Sequence, residues 1–289
     1  MTTNDPIKNV SVLSTGSITI RPEHVGPTWK NFYFWLFTST RWTAPRPINV
    51  YVIEHRDGVV LFDTGQDRAS VTESDYFPGG LNGLVYSRLA KFDIGPGETL
   101  SAMLGGLGYA LDDVHTAVLS HLHQDHIGGL PLLNKADVVV SQQEWDTVHK
   151  PLAKARGFLR SHIELPGLHW KRIVAEPLAD PALLPFSDGH DLFDDGSIML
   201  LPTPGHTPGS LSMLVRRPGH APLLMVGDLT YDTDLLVAGK VPGVGNKTQM
   251  RDAITKVNTL RHTMPDLTVL AAHDPGAAAR LHTALDTIH

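Results

Sequence analysis

Short apolar runs, each closed by Gly, Pro, Asp or His, recur along the chain from Val10 to Leu270. Val10 to Ile20 alternates apolar and small polar positions, which predicts two short strands broken at Gly16. Ile48 to Ile53 and Val59 to Phe62, joined by a turn at Arg56-Asp57-Gly58, predict a hairpin that ends at Asp63-Thr64-Gly65. Thr116 to Ser120, Ile198 to Leu201, Leu211 to Val215, Leu223 to Val226 and Leu267 to Leu270 read as further strands, and Asp188-Gly189 and Asp195-Gly196 bracket another. Helical spacing is expected over Leu100 to Leu111 and Glu144 to Arg160, with Trp145, Val148, Leu152 and Leu159 near one face. It is expected again over Gln249 to Met264, stopped by Pro265, and over Ala277 to Ile288. Residues 66–97 hold no long periodic segment and read as an irregular excursion. The stretch from Trp29 to Trp42 holds seven of the chain's twenty aromatic residues without clean spacing of either kind. It reads either as core packing or a dimer contact, or as a lid whose rings line an apolar groove.

Strands interleaved with helices define an α/β protein, and no low-complexity tract or linker divides the 289 residues. With 42% hydrophobic residues there is ample material for a core. A net charge of -6 without a basic run argues against nucleic acid or an anionic membrane as partner and leaves a small neutral or weakly charged molecule. The absence of cysteine excludes disulfides and thiolate ligands. Met1 to Asn9 lack the basic and apolar regions of a secretory signal, which reads as a cytoplasmic protein.

Against this background one stretch is not ordinary scaffold. His121-Leu-His123-Gln-Asp125-His126 follows the strand Thr116 to Ser120 and runs into Gly128-Gly129. In an extended segment His121 and His123 point the same way, while Asp125 and His126 turn past them, so one loop can serve two adjacent metal ions. The apolar runs ending near residues 201, 226 and 270 are likewise followed by His206, Asp228 and His273. Singly each of these three would more often be structural. Together with the loop at 121–126 they read as ligands, each on a loop aimed from the end of a strand. Imidazole and carboxylate donors without sulfur suit Zn first, with Mn, Fe or Co as alternatives, and a bridging carboxylate permits a two-metal site. The other histidines, His24, His162 and His169 among them, have no partner spacing and read as surface residues.

These motifs, His121-x-His123-x-Asp125-His126, Thr203-Pro-Gly-His206, Gly227-Asp228 and Ala272-His273, with Asp63-Thr-Gly65 before them, resemble the successive metal motifs of the metallo-β-lactamase superfamily. The resemblance runs from about residue 48 to 275. It implies a four-layer αββα sandwich of two mixed sheets with outer helices, built as one domain over 1–289 from two similar halves, roughly 1–175 and 176–289. It implies that His121, His123 and His206 hold one divalent ion, that Asp125, His126 and His273 hold a second, and that Asp228 bridges them. Asp63 would fix a ligand histidine by a hydrogen bond. Gly227-Asp228-Leu-Thr-Tyr231 further resembles the N-acyl homoserine lactone lactonases, whose corresponding tyrosine faces the substrate.

The expected activity is therefore opening of a lactone, an N-acyl homoserine lactone in particular (quorum quenching), by hydroxide formed from a water between the two ions. Tyr231 would hydrogen-bond the developing oxyanion or the substrate carbonyl, and Asp125 would carry the proton to the leaving alkoxide. Rival readings within the fold are an aryl ester or phosphotriester hydrolase, a thioesterase like glyoxalase II, and an iron persulfide dioxygenase with a single metal. The aromatic stretch leaves a homodimer open.

Overall fold

In a computed structural model of the chain, residues 5–286 are described. All four side chains of Val50-Tyr51-Val52-Ile53 are buried, because their strand lies between two layers. Tyr51 and Ile53 enter the core between the sheets, while Val50 and Val52 enter a second core with Leu100 and Leu104 of the helix Leu100–Gly106. A strand covered on both faces reads as a continuous apolar run rather than an alternation. The same division recurs where Ile198 and Leu200 face the inner core, and Met199 and Leu201 face the helix Lys247–Thr263.

The first sheet is built from β1 (Ile7–Ile20), β2 (Arg46–His55), β3 (Gly58–Phe62), β4 (Ala90–Asp93), β5 (Val114–Val118), β6 (Asp137–Ser141) and β7 (His169–Ile173), in the order β4-β1-β2-β3-β5-β6-β7. The second holds β8 (Glu176–Pro177), β9 (Asp188–Asp191), β10 (Ile198–Pro202), β11 (Leu211–Val215), β12 (Leu223–Met225) and β13 (Thr268–Leu270), in the order β13-β12-β11-β10-β9-β8. Both sheets are mixed: β3, β5, β6 and β7 run parallel to one another, as do β12 and β13. Helices on the outer faces complete the four-layer αββα sandwich. The helix Lys247–Thr263 begins at Asn246, whose side chain accepts from the amides of Thr248 and Gln249, and it buries Ile254, Val257 and Leu260. Each of those side chains stabilises by about 1.5–3 kcal/mol. The helix Ala277–Asp286 packs Leu281 and Ala284 into the inner core; Thr287 and Ile288, also expected to be helical, lie outside the described residues. Among the described residues no helix is long and apolar enough to cross a membrane.

Four expectations are corrected. β1 is one strand of 14 residues, with a register shift between Ser14 and Ser17 around Gly16 (φ 95°), so the glycine makes a bulge and not a break. The segment 66–97 contains the helices Ala69–Thr72 and Gly80–Leu89 and the edge strand β4; neither helix buries a residue fully, so neither imposes a clean apolar period. The helix expected through Leu111 ends at Gly106, and a separate turn of 3-10 helix covers Leu111–Asp113. The helix expected over 144–160 spans only Gln142–Val148. Beyond it Leu152 takes a left-handed conformation (φ 62°) and Ala153–Arg156 forms a 3-10 turn.

The aromatic stretch forms the helix Phe32–Thr38. Trp35 and Leu36 are buried, and Phe32 packs beside them in a cluster that includes Tyr231, while Trp29, Tyr33, Phe34 and Phe37 are exposed.

Candidate metal centre

The loops leaving β5, β10, β12 and β13 meet at one edge of the sandwich. There His121, His123, Asp125, His126, His206, Asp228 and His273 form three overlapping groups: His121 with His123 and His206, His121 with His126 and Asp228, and Asp125 with His126 and His273. Asp228 faces two of these sets. Its Oδ2 is 3.5 Å from His206 Nε2, and its Oδ1 is 3.4 Å from Nε2 of both His126 and His273. Asp125 Oδ2 lies 3.2 Å from His273 Nε2.

Four of the five imidazoles are turned by a contact on the other side, while the outer Nδ1 of His206 makes no hydrogen bond. Asp63 Oδ2 is 2.8 Å from His126 Nδ1 and the Pro47 carbonyl 2.9 Å from His273 Nδ1. His121 Nδ1 sits 3.0 Å from Ser120 Oγ, and His123 Nε2 is 2.9 Å from the Arg156 carbonyl. A ring that donates its outer N–H leaves the inner nitrogen unprotonated and ready to ligate. Asp63 also accepts from the Ser120 amide (2.7 Å) and hydroxyl (2.9 Å), and it does so from a left-handed backbone (φ 62°) at the end of β3. That strain sits at the site, where the surrounding bonds impose it.

The break after Val148 has its reason here. The chain must turn toward His123 to deliver the Arg156 carbonyl, and a Cβ on Gly157 (φ 96°) would lie 2.7 Å from the His123 ring. A continuing helix would carry both away.

The donors fit divalent cations. His126 Nε2, His273 Nε2 and Asp228 Oδ1 are buried without a well-directed hydrogen bond, which a closed protein interior rarely tolerates. His123 Nδ1 lies 3.1 Å from His121 Nε2 and 2.9 Å from His206 Nε2, so three nitrogens converge on a space that shared protons cannot satisfy. Burial lowers the basicity of His121 and His123 and takes His206 down to about 3, which keeps them in the neutral ligating form. At His126 and His273 burial acts the same way but is outweighed by nearby carboxylates: Asp63, Asp228 and Asp125 at His126, and Asp228 and Asp125 at His273. Burial alone would raise Asp228, but His273 and His126 hold it well below the ordinary carboxylate range. The carboxylates thus hold protons on imidazoles where a cation could take their place.

Two residues near the centre escape a reading of the sequence. Glu144 is buried and accepts from the Leu122 amide (3.1 Å) on one oxygen and from Thr207 Oγ1 (2.8 Å) and the Gly209 amide (3.0 Å) on the other. It ties the loop carrying His121 and His123 to the loop carrying His206, although burial pushes its carboxyl up to about 7. Ser141, three residues earlier, caps its amide and marks a helix start; no local signal marks the carboxylate's distant partners. Glu144→Gln is expected to cost about 2–3 kcal/mol, because an amide offers one acceptor oxygen and turns its own donors against Thr207 or Gly209. Thermal denaturation checks this, and an unchanged midpoint would refute it. His24, expected at the surface, instead packs edge-on against Tyr231 at 4.9 Å. Tyr231 is itself buried, stacks on His273 at 5.8 Å and 11°, and leaves its hydroxyl beside Asp228 without a well-directed hydrogen bond.

The model of the metallo-beta-lactamase superfamily matches residues 43–273, and the chain belongs to that superfamily as one of its metal-dependent hydrolases. Among curated proteins it is 30% identical over 241 residues to the N-acyl homoserine lactonase AttM of Rhizobium radiobacter, covering 82% of this chain and 86% of that one. Its fold is similar to that of a Bacillus thuringiensis AiiA variant solved with N-decanoyl-L-homoserine at the active site (TM-score 0.73, 20% identity, 93% and 94% of the two chains). It is similar also to AidC, a dizinc quorum-quenching lactonase in complex with a product, N-hexanoyl-L-homoserine (TM-score 0.61, 16% identity, 94% and 91%).

Proposed function

We propose that this chain opens lactone rings, with N-acyl homoserine lactones as its substrate class, at a centre of two divalent ions, zinc first among the candidates. His121, His123 and His206 would hold one ion and Asp125, His126 and His273 the other, with Asp228 between them. The two halves of a single domain, 1–175 and 176–289, would each supply part of this set. The observation that carries the reading is the buried hydroxyl of Tyr231, without a well-directed hydrogen bond beside the cluster, in a chain similar to a named lactonase over most of its length.

When bound, two such cations make water acidic enough to supply a nucleophile near neutral pH and polarise a carbonyl oxygen. Tyr231 donates its hydrogen bond to the oxygen that gains charge as the carbonyl is attacked. Burial raises its pKa well above the ordinary phenol value, so it stays protonated as a donor. Asp125 takes the proton from the attacking water and returns it to the ring oxygen as the ester C–O bond breaks, giving a carboxylic acid and an alcohol. Its side chain is 14% exposed against 5% for Asp228, which leaves it reachable from the substrate side. Phe32 and Trp35, in the same apolar cluster as Tyr231, would also accommodate an aryl group, so an aryl ester or phosphotriester is the second reading.

Acid release by the purified, metal-loaded protein across homoserine lactones, aryl esters, a glutathione thioester and a phosphotriester tests this reading, together with metal analysis. Two zinc or cobalt ions per chain and a preference for lactone of at least about tenfold in kcat/KM, roughly 1.4 kcal/mol, are expected. A single iron, or no lactone opening, would overturn it.

A further inference from the structure

The half-buried imidazole of His24 is not accounted for by any ligand role or by the packing around it. It follows β1 in the short turn of helix Pro22–Val25. That turn is pinned from both sides: Glu23 Oε2 accepts from Ser39 Oγ (2.9 Å) at the end of the aromatic helix, and Arg21 donates to the carbonyls of Arg41 and Arg88 (3.0 Å each). The His24 ring is therefore held against Tyr231 (4.9 Å, edge-on) and Trp35 (6.1 Å). Its Nδ1 is buried and makes no hydrogen bond. A histidine kept for packing ordinarily spends its ring nitrogens on neighbouring groups, as the buried His55 does on the Asp57 amide at Nδ1 and on Ser197 Oγ at Nε2.

The His24 and Tyr231 rings, 4.9 Å apart beside the centre, thus each carry a polar atom without a well-directed hydrogen bond. Asp228, Asp125, His273 and His123 all lie near enough to influence the His24 ring electrostatically, while burial dominates and brings it down to about 4. The ring is neutral at physiological pH and presents one N–H donor and one acceptor. The Trp35 ring beside His24, part of the apolar cluster that also holds Tyr231, makes an unmade hydrogen bond costly and a made one selective.

We propose that His24 is a substrate-binding residue that hydrogen-bonds the amide of an α-acylamido lactone, while Tyr231 serves the ring carbonyl. The inference rests on the lactone-opening reading and adds to it a basis for choosing acylamido lactones over plain ones. Two neighbouring donors suit a substrate with two neighbouring carbonyls, and a lactone lacking the amide would leave His24 unpaired.

The test compares wild type, His24→Phe and His24→Asn as metal-loaded enzymes on N-hexanoyl homoserine lactone and on an α-alkyl-γ-butyrolactone of matched chain length. Phe keeps the ring packing and removes the hydrogen bond; Asn restores a donor. For His24→Phe the KM for the acylamido lactone is expected to rise about three- to tenfold, with kcat little changed and the alkyl lactone unaffected. His24→Asn is expected to recover part of the loss. Calorimetric binding of the ring-opened N-hexanoyl homoserine should weaken by the same factor, with metal content unchanged. An equal KM rise on both lactones, loss of metal from His24→Phe, or no change in KM and product affinity would each overturn the assignment. If the wild type opens neither lactone, the lactone reading itself fails, and the product-binding comparison then decides His24 separately, equal or absent binding counting against it.

Discussion

Asp228→Ala is expected to abolish tight binding of at least one of two metal ions and to lower kcat/KM by at least about a thousandfold, some 4 kcal/mol of lost transition-state stabilisation. Asp228 is the carboxylate whose two oxygens divide between the imidazole of His206 on one side and those of His126 and His273 on the other. Alanine removes the donor common to both sets and leaves three imidazoles facing an apolar gap. The loss should exceed that from any residue that merely orients a ligand, such as Asp63, where about 10- to 100-fold in metal affinity is typical. Elemental analysis after dialysis, alongside steady-state kinetics, checks the outcome. A variant that retained two ions per chain would remove Asp228 from the bridging role.

Tyr231→Phe is expected to move stability and rate in opposite directions. The hydroxyl is buried beside Asp228 without a well-directed hydrogen bond, a state that costs about 1–3 kcal/mol in the free protein. Phenylalanine keeps the ring stacked on His273 and edge-on to His24 while deleting that cost, so the melting temperature should hold or rise. The rate should fall, by about 10- to 100-fold in kcat, if the hydroxyl is reserved for charge that develops on the substrate. Metal content should stay at the wild-type level. Unchanged turnover would take Tyr231 out of the reaction, and lost metal would make it a structural support of His273.

Both expectations draw on a site whose parts differ in how visible they are along the chain. His121, His123, Asp125 and His126 lie within six positions after a strand, and His206, Asp228 and His273 each follow an apolar run, so their gathering at one edge of the sandwich was legible from spacing. Tyr231 stood out only through the resemblance of Gly227-Asp228-Leu-Thr-Tyr231 to the lactonases. His24 was not legible: one histidine between Glu23 and Val25 looks like any surface imidazole, and only the folded-back aromatic helix and the loop after β12 bring Trp35 and Tyr231 against it. Glu144 was likewise hidden, because its partners Leu122, Thr207 and Gly209 come from two other loops.

By itself the sequence determined the elements whose burial has a strong period or a continuous apolar run: the strands leading to the cluster, the helix Lys247–Thr263, and with them the α/β class. Local pattern reports which face of an element is buried, since the energy involved belongs to each side chain separately. Tertiary structure alone decided the bulge at Gly16, the left-handed turn at Leu152 that ends a helix early, and the helix and edge strand within 66–97. It also decided which carbonyl or carboxylate turns His123, His126 and His273. Those features depend on contacts between distant segments, such as Arg156 with His123 and Asp63 with His126, and no periodicity along the chain encodes a partner of that kind.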